Sequence, residues 1–158
     1  MATIDDYADG SITESIRKTL RYFRDAAGPL GEDEKALRVR QKIEEFEPLL
    51  ITLDAAVAYI GKTDTVAIGE RVCRILHAGS AFTESVFLDD LASAMIRSGR
   101  ARKATAAQAA ETLEKSSGHP FIISRVSGKH QEICASVPSE CLFWKAEKKG
   151  LHCLKRKA

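Results

Sequence analysis

Apolar positions recur at three- and four-residue intervals through the first part of the chain, and this spacing predicts helices. Ile16, Leu20, Phe23 and Ala27 follow Ser11, which has capping-box spacing to Glu14, so a first helix is expected to start at Ser11 and stop at Gly28-Pro29-Leu30-Gly31. Glu32 to Glu47 places Leu37, Val39, Ile43 and Phe46 among many charges, which predicts a surface helix with a narrow apolar stripe. Pro48 breaks the pattern, and Leu49 to Ile60 is apolar almost throughout, with Asp54 its odd polar member, so it reads as the central helix ending at Gly61. Asp64 to about His77 directs Ile68, Val72, Ile75 and Leu76 inward, and Thr83 to about Ile96 does the same with Phe87, Leu91 and Met95. Thr105 and Gln108 form another capping-box pair and open an alanine-rich helix running to about Lys115.

The texture changes after Ser116-Ser117-Gly118-His119-Pro120. Phe121 to Val126 is short and β-branched and ends at Ser127-Gly128, a hairpin signal. Glu132 to Val137 and Cys141 to Lys145 complete a three-stranded meander, with Pro138 at the turn and Lys148 to Lys157 as a fourth short strand or a basic tail. The fold class expected is mainly α: a bundle of five to six helices over residues 1–117, with a small basic antiparallel β-meander over 118–158, an α+β arrangement.

Charge changes this picture. The net charge of +2 over 158 residues divides unevenly: residues 1–60 carry 8 Lys/Arg against 12 Asp/Glu, residues 61–96 carry 3 against 5, and residues 97–158 carry 13 against 5. A basic end on an acidic body suits contact with a polyanion, and the acidic body suits a basic protein neighbour. No apolar run approaches the ~18 residues of a membrane span, and Met1 to Gly10 is acidic where a secretory signal would be basic, so a cytoplasmic address with no membrane partner is expected. Cys73, Cys134, Cys141 and Cys153 are unevenly spread and are expected to be reduced thiols.

Catalytic and metal-binding patterns are scarce. Cys73 and His77 stand four apart, with Cys134, Cys141 and His152 as distant partners, but there is no C-x-x-C pair of the kind structural zinc sites use. G-x-S-x-G, H-E-x-x-H and a phosphate-cradling glycine loop are all missing, so no enzyme activity, cofactor or metal is expected. Arg97-Ser98-Gly99-Arg100-Ala101-Arg102-Lys103 reads as the best phosphate-contacting loop. Phe143-Trp144-Lys145, followed by Lys148 and Lys149, has the mix of aromatic and basic residues found on single-strand binding surfaces, although the rings are expected to pack into the fold. Charge alone therefore assigns nucleic-acid contact to Arg97, Arg100, Arg102, Lys103, Lys145, Lys148, Lys149, Lys155, Arg156 and Lys157.

An acidic-faced helical body followed by a small β part, with the apolar helical stretch Leu49 to Leu76 at its centre, resembles the small α-helical subunit of archaeal type I-A CRISPR interference complexes. The resemblance implies a non-catalytic subunit that sits beside other subunits and further copies of itself in a crRNA-bearing complex and helps hold single-stranded or R-loop DNA. Two other readings stand beside it. In a winged-helix regulator, the helices from Thr83 and Thr105 and the hairpin Phe121 to Val137 would form the DNA-binding unit, with Thr105 to Lys115 as recognition helix. That helix offers mostly Ala, Gln and Glu and no arginine for a guanine edge. A protein-binding adaptor would use only the acidic face.

Overall fold

The computed structural model describes residues 2–73 and 84–156. In chain order the elements are α1 (Ile4–Asp9), α2 (Ser11–Asp25), α3 (Glu34–Glu44), β1 (Leu49–Ile51), α4 (Leu53–Gly61), β2 (Val66–Glu70), β3 (Glu84–Leu88), α5 (Asp89–Arg97), β4 (Ala101–Ala104), α6 (Ala106–Glu114), β5 (Phe121–Val126), β6 (Lys129–Ala135), α7 (Leu142–Lys148) and β7 (Lys155–Arg156). The described strands form one seven-stranded sheet in the order β4-β2-β3-β6-β5-β1-β7. All pairings are antiparallel except the parallel contact of β7 with β1.

Helices cover both faces of this sheet. On one, Ala67, Phe87, Ile122 and Val126 pack under α1, α2, α3, α5 and α7, which contribute Tyr7, Phe23, Ile43, Leu91 and Phe143. On the other, Val66, Ile68, Val86, Leu88, Ile123 and Ile133 pack under α4 and α6, which contribute Ala56, Ile60, Ala109 and Leu113. Adjacent strand residues therefore point into different cores, as the two-residue side-chain period requires. Strands buried on both sides read as continuous apolar runs without alternation.

The expectation of a mainly α bundle with a small β-meander is thus overturned: the described chain is an α/β fold with seven helices and a seven-stranded mixed sheet. Asp64 to His77, expected as a helix, contains β2; the buried run Val66-Ala67-Ile68-Gly69 imitates helical spacing because both of its faces are apolar. The helix expected from Thr83 is instead β3 followed by α5, and Thr83 and His77 lie outside the described residues. Leu49 to Ile60 divides at Thr52, whose hydroxyl accepts from the Ala55 N–H at 3.1 Å and starts α4 after the short β1. Cys141 to Lys145, expected as a strand, is the N-cap and first turn of α7, where Leu142 and Ala146 bury the same helix face. Across position 117/118, where the helical part was expected to give way to the β part, strands on the two sides pair: β5 with β1 and β6 with β3.

Several local readings coincide with the structure. α2 starts at Ser11, although left-handed Gly10, and not Ser11, is its cap. The Thr105/Gln108 capping box is present, and β5 has the expected bounds Phe121–Val126. Two glycines matter to the assembly. A Cβ on Gly69 would lie 2.4 Å from the Arg100 carbonyl oxygen, so glycine lets β2 and β4 approach. Gly10, at φ 84°, makes the α1–α2 corner against the Arg100 guanidinium.

Candidate functional site

The sheet separates the basic residues singled out by charge. Arg97, Arg100, Arg102 and Lys103 gather around β4 at one edge, while Lys155 and Arg156 form β7 at the other. Six strand spacings, or ~29 Å, lie between these edges. Several of these cations also serve the fold. Arg100 donates to the carbonyls of Ala8 at 2.9 Å and Asp9 at 3.2 Å, closing the end of α1. Arg102 pairs with Glu84 at 2.7 Å, and Lys149 donates to the carbonyls of Ala26 and Gly28. Arg97 and Lys103 are exposed; Lys145 and Lys148 lie on α7, and Lys157 falls outside the described residues. The expected phosphate-binding loop is therefore a helix end, a glycine turn and an edge strand, and no single surface carries all the chosen residues.

The aromatic residues near Lys145 are committed to packing. Phe143 is buried and meets Phe46 edge-on at 5.5 Å, and the Trp144 Nε1–H donates to Ser136 Oγ at 3.0 Å. The hairpin proposed as a wing forms β5 and β6 in the interior of the sheet, and α6 packs against the same core as α4.

A different basic surface is formed by α2 and α3. Their buried residues Thr19, Phe23, Val39 and Ile43 bring the helices to one core, leaving a groove of about 430 Å³ on the outside. Lys18 and Arg21 line it from α2, Lys35, Arg38 and Lys42 line it from α3, and Asp25 is its single carboxylate among the described residues. Tyr22 forms part of the wall, with Lys35 Nζ 5.1 Å from the ring centre. Arg38 pairs with Glu34 at 2.9 Å, an exposed contact that a phosphate can displace, while Lys18, Arg21 and Lys42 make no ion pair among the described residues. All eight Lys/Arg residues of positions 1–60 lie in α2 and α3, whereas only four of the twelve Asp/Glu do: Glu14, Asp25, Glu34 and Glu44. Counting the whole segment concealed this surface. The signal that could have found it is the spacing of 18/21/25 and 35/38/42, which stacks side chains on one helix face.

A second feature lies under α1. A cavity of about 60 Å³ lies between the sheet, α1, α2 and the start of α7. Glu132 projects into it from β6, fully surrounded, and accepts a hydrogen bond from the Tyr7 hydroxyl at 2.8 Å. Burial pushes the Glu132 carboxyl up to about 7, against the opposing effects of Tyr7 and the Arg71 guanidinium. Arg71 is buried and donates to the Ala135 carbonyl at 3.3 Å. Cys73, Cys134 and Cys141 also line the cavity, and burial raises all three thiols, Cys73 to about 11. They are free thiols in a setting that keeps them protonated and poorly nucleophilic. No group of three or more His, Cys, Asp or Glu among the described residues is arranged to hold a metal ion.

Comparison with known proteins found no matching family model, no matching curated protein and no matching solved structure. No described helix is long and apolar enough to cross a membrane.

Proposed function

We propose that this protein is a non-catalytic nucleic-acid-binding subunit that holds a phosphate backbone in the groove between α2 and α3. The observation that carries this reading is the set of five cations, Lys18, Arg21, Lys35, Arg38 and Lys42, around one groove with a single lining carboxylate. Lysine and arginine at three- and four-residue intervals present a row of charges over ~10 Å of helix, which suits successive phosphates. Contacts from these cations to phosphates carry no sequence information, so this mode of binding is indifferent to sequence. Single strands are favoured, because an unpaired base can displace Lys35 and stack on Tyr22.

This is the kind of role that the CRISPR-subunit resemblance implied, now placed on different residues. The helical-bundle layout behind that resemblance is not the architecture described above, so membership of such a complex is not part of the present support. The test is a titration of labelled single-stranded and duplex oligonucleotides of unrelated sequence at low and moderate salt. Weak, salt-sensitive binding that is lost in Lys18→Ala/Arg21→Ala/Lys42→Ala supports the reading. Failure to bind at low salt, or binding unchanged in that variant, overturns it.

A further inference from the structure

Glu132, Glu140 and Arg71 are the charged side chains among the described residues lining the cavity under α1, so two carboxylates face one guanidinium. Buried polar atoms without a partner face it as well. Glu140 Oε2 is buried with no partner, and so is the hydroxyl of Ser85, a residue that is 0% exposed. Leaving such atoms without a partner in a low-dielectric interior is costly; the carboxylate oxygen needs a donor, and the hydroxyl can take a donor or an acceptor. Tyr7, Phe46 and Phe143 bring aromatic rings to the same space. A surface groove sharing Tyr7, Arg71 and Val72 with the cavity adjoins it on the side of α1.

We propose that this cavity binds a small primary ammonium ion, whose N–H groups donate to Glu132, Glu140 and Ser85 and whose short carbon chain lies among the aromatic rings. A primary ammonium carries three donors and no acceptor, so it can serve the Glu140 carboxylate oxygen and the lone pairs of the Ser85 hydroxyl. Its single positive charge balances the second carboxylate, and the rings favour a cation beside them. A space of about 60 Å³ limits the chain to one or two carbons. Its walls do not form a metal site among the described residues, and the thiols are too firmly protonated to act as ligands without losing protons.

Binding should respond to pH through Glu132. Among the described residues, the titratable and charged groups around it are Tyr7 from α1, Arg71 and Cys73 beyond β2, Cys134 on β6, and Glu140 and Cys141 before α7. Near neutrality Glu132 is the one of these whose resolved shift brings its titration into range. A cation strengthens as its partner ionises, so affinity for methylammonium rises as pH climbs toward about 7 and levels off above it.

The experiment compares thermal unfolding of the full chain in methylammonium chloride, sodium chloride and tetramethylammonium chloride at equal concentration. The second cation is inorganic, and the third has the charge of methylammonium without its N–H groups. A midpoint raised by methylammonium alone, with at least tenfold weaker binding in Glu140→Gln and in Ser85→Ala, supports the proposal. Equal midpoints in the three salts, the result expected if the cavity holds only water, overturn it. So does a methylammonium shift that both variants retain, since it would arise elsewhere on the surface. Because the salt comparison uses the unaltered chain, it stands even if a variant folds poorly.

Discussion

Glu132 combines full burial, a tyrosine hydroxyl and a nearby guanidinium, and their balance leaves its carboxyl raised from 4.5 to about 7. A carboxyl that binds its proton more tightly in the folded state favours folding most fully below about 4.5, and that contribution is lost as pH rises through about 7. The loss over this window is about 3 kcal/mol. Urea denaturation across the window should therefore show stability falling toward neutrality, and Glu132→Gln should flatten the fall because the amide cannot ionise but still accepts from Tyr7. An unchanged slope in the variant would place the titrating group elsewhere. The thiols supply a second check at this scale. Cys73, Cys134, Cys141 and Cys153 all have raised values, so at mildly alkaline pH each is mostly protonated. Disulfide-exchange reagents should modify the native chain at least tenfold more slowly than the urea-unfolded chain, in which thiols titrate near 8.5. Equal rates would contradict the burial described here.

Among the elements, β2 and β4 depend on a missing side chain. Gly69→Ala would place a methyl group 2.4 Å from the Arg100 carbonyl oxygen, which is backbone and cannot swing away. Separation of the strand pair should cost about 2 kcal/mol or more, measured by chemical denaturation, whereas Gly61→Ala, with open space around the new methyl, should not show that loss. This scale also separates what the sequence made legible from what it hid. Caps and turns are local chemistry, so the Thr105/Gln108 capping box and the strand preceding Ser127-Gly128 could be read directly. Inward residues were legible even where the element was misjudged: Ile68, Phe87, Leu91 and Met95 are all buried. Their element type was hidden because β2 and β3 are buried on both faces and lose the alternation that marks a strand. In Cys141 to Lys145, three large apolar side chains suggested a strand, and the helix emerges only when Ala146 is seen to share a buried face with Leu142.

For the whole molecule, the informative property is where charge is placed, not how much there is. The ten residues chosen from sequence are divided between two sheet edges, α7 and a position outside the described chain, while five unchosen ones surround a single groove. A phosphate backbone experiences local potential within a Debye length of about 8 Å at physiological salt, so it responds to the groove and not to the net charge of the segment that contains it. If all five groove cations meet phosphates, the slope of log affinity against log salt for a single strand is at most about −3.5. Removing Lys18, Arg21 and Lys42 together should reduce that slope in magnitude by about 2 and weaken unrelated sequences alike. Arg97→Ala/Lys103→Ala is the matched control, because both residues are exposed at the β4 edge and neither lines the groove. That variant should leave the slope unchanged. The opposite pattern, with the slope insensitive to the groove but reduced by the edge substitutions, would return the interface to the basic segment around β4 and remove α2 and α3 from it.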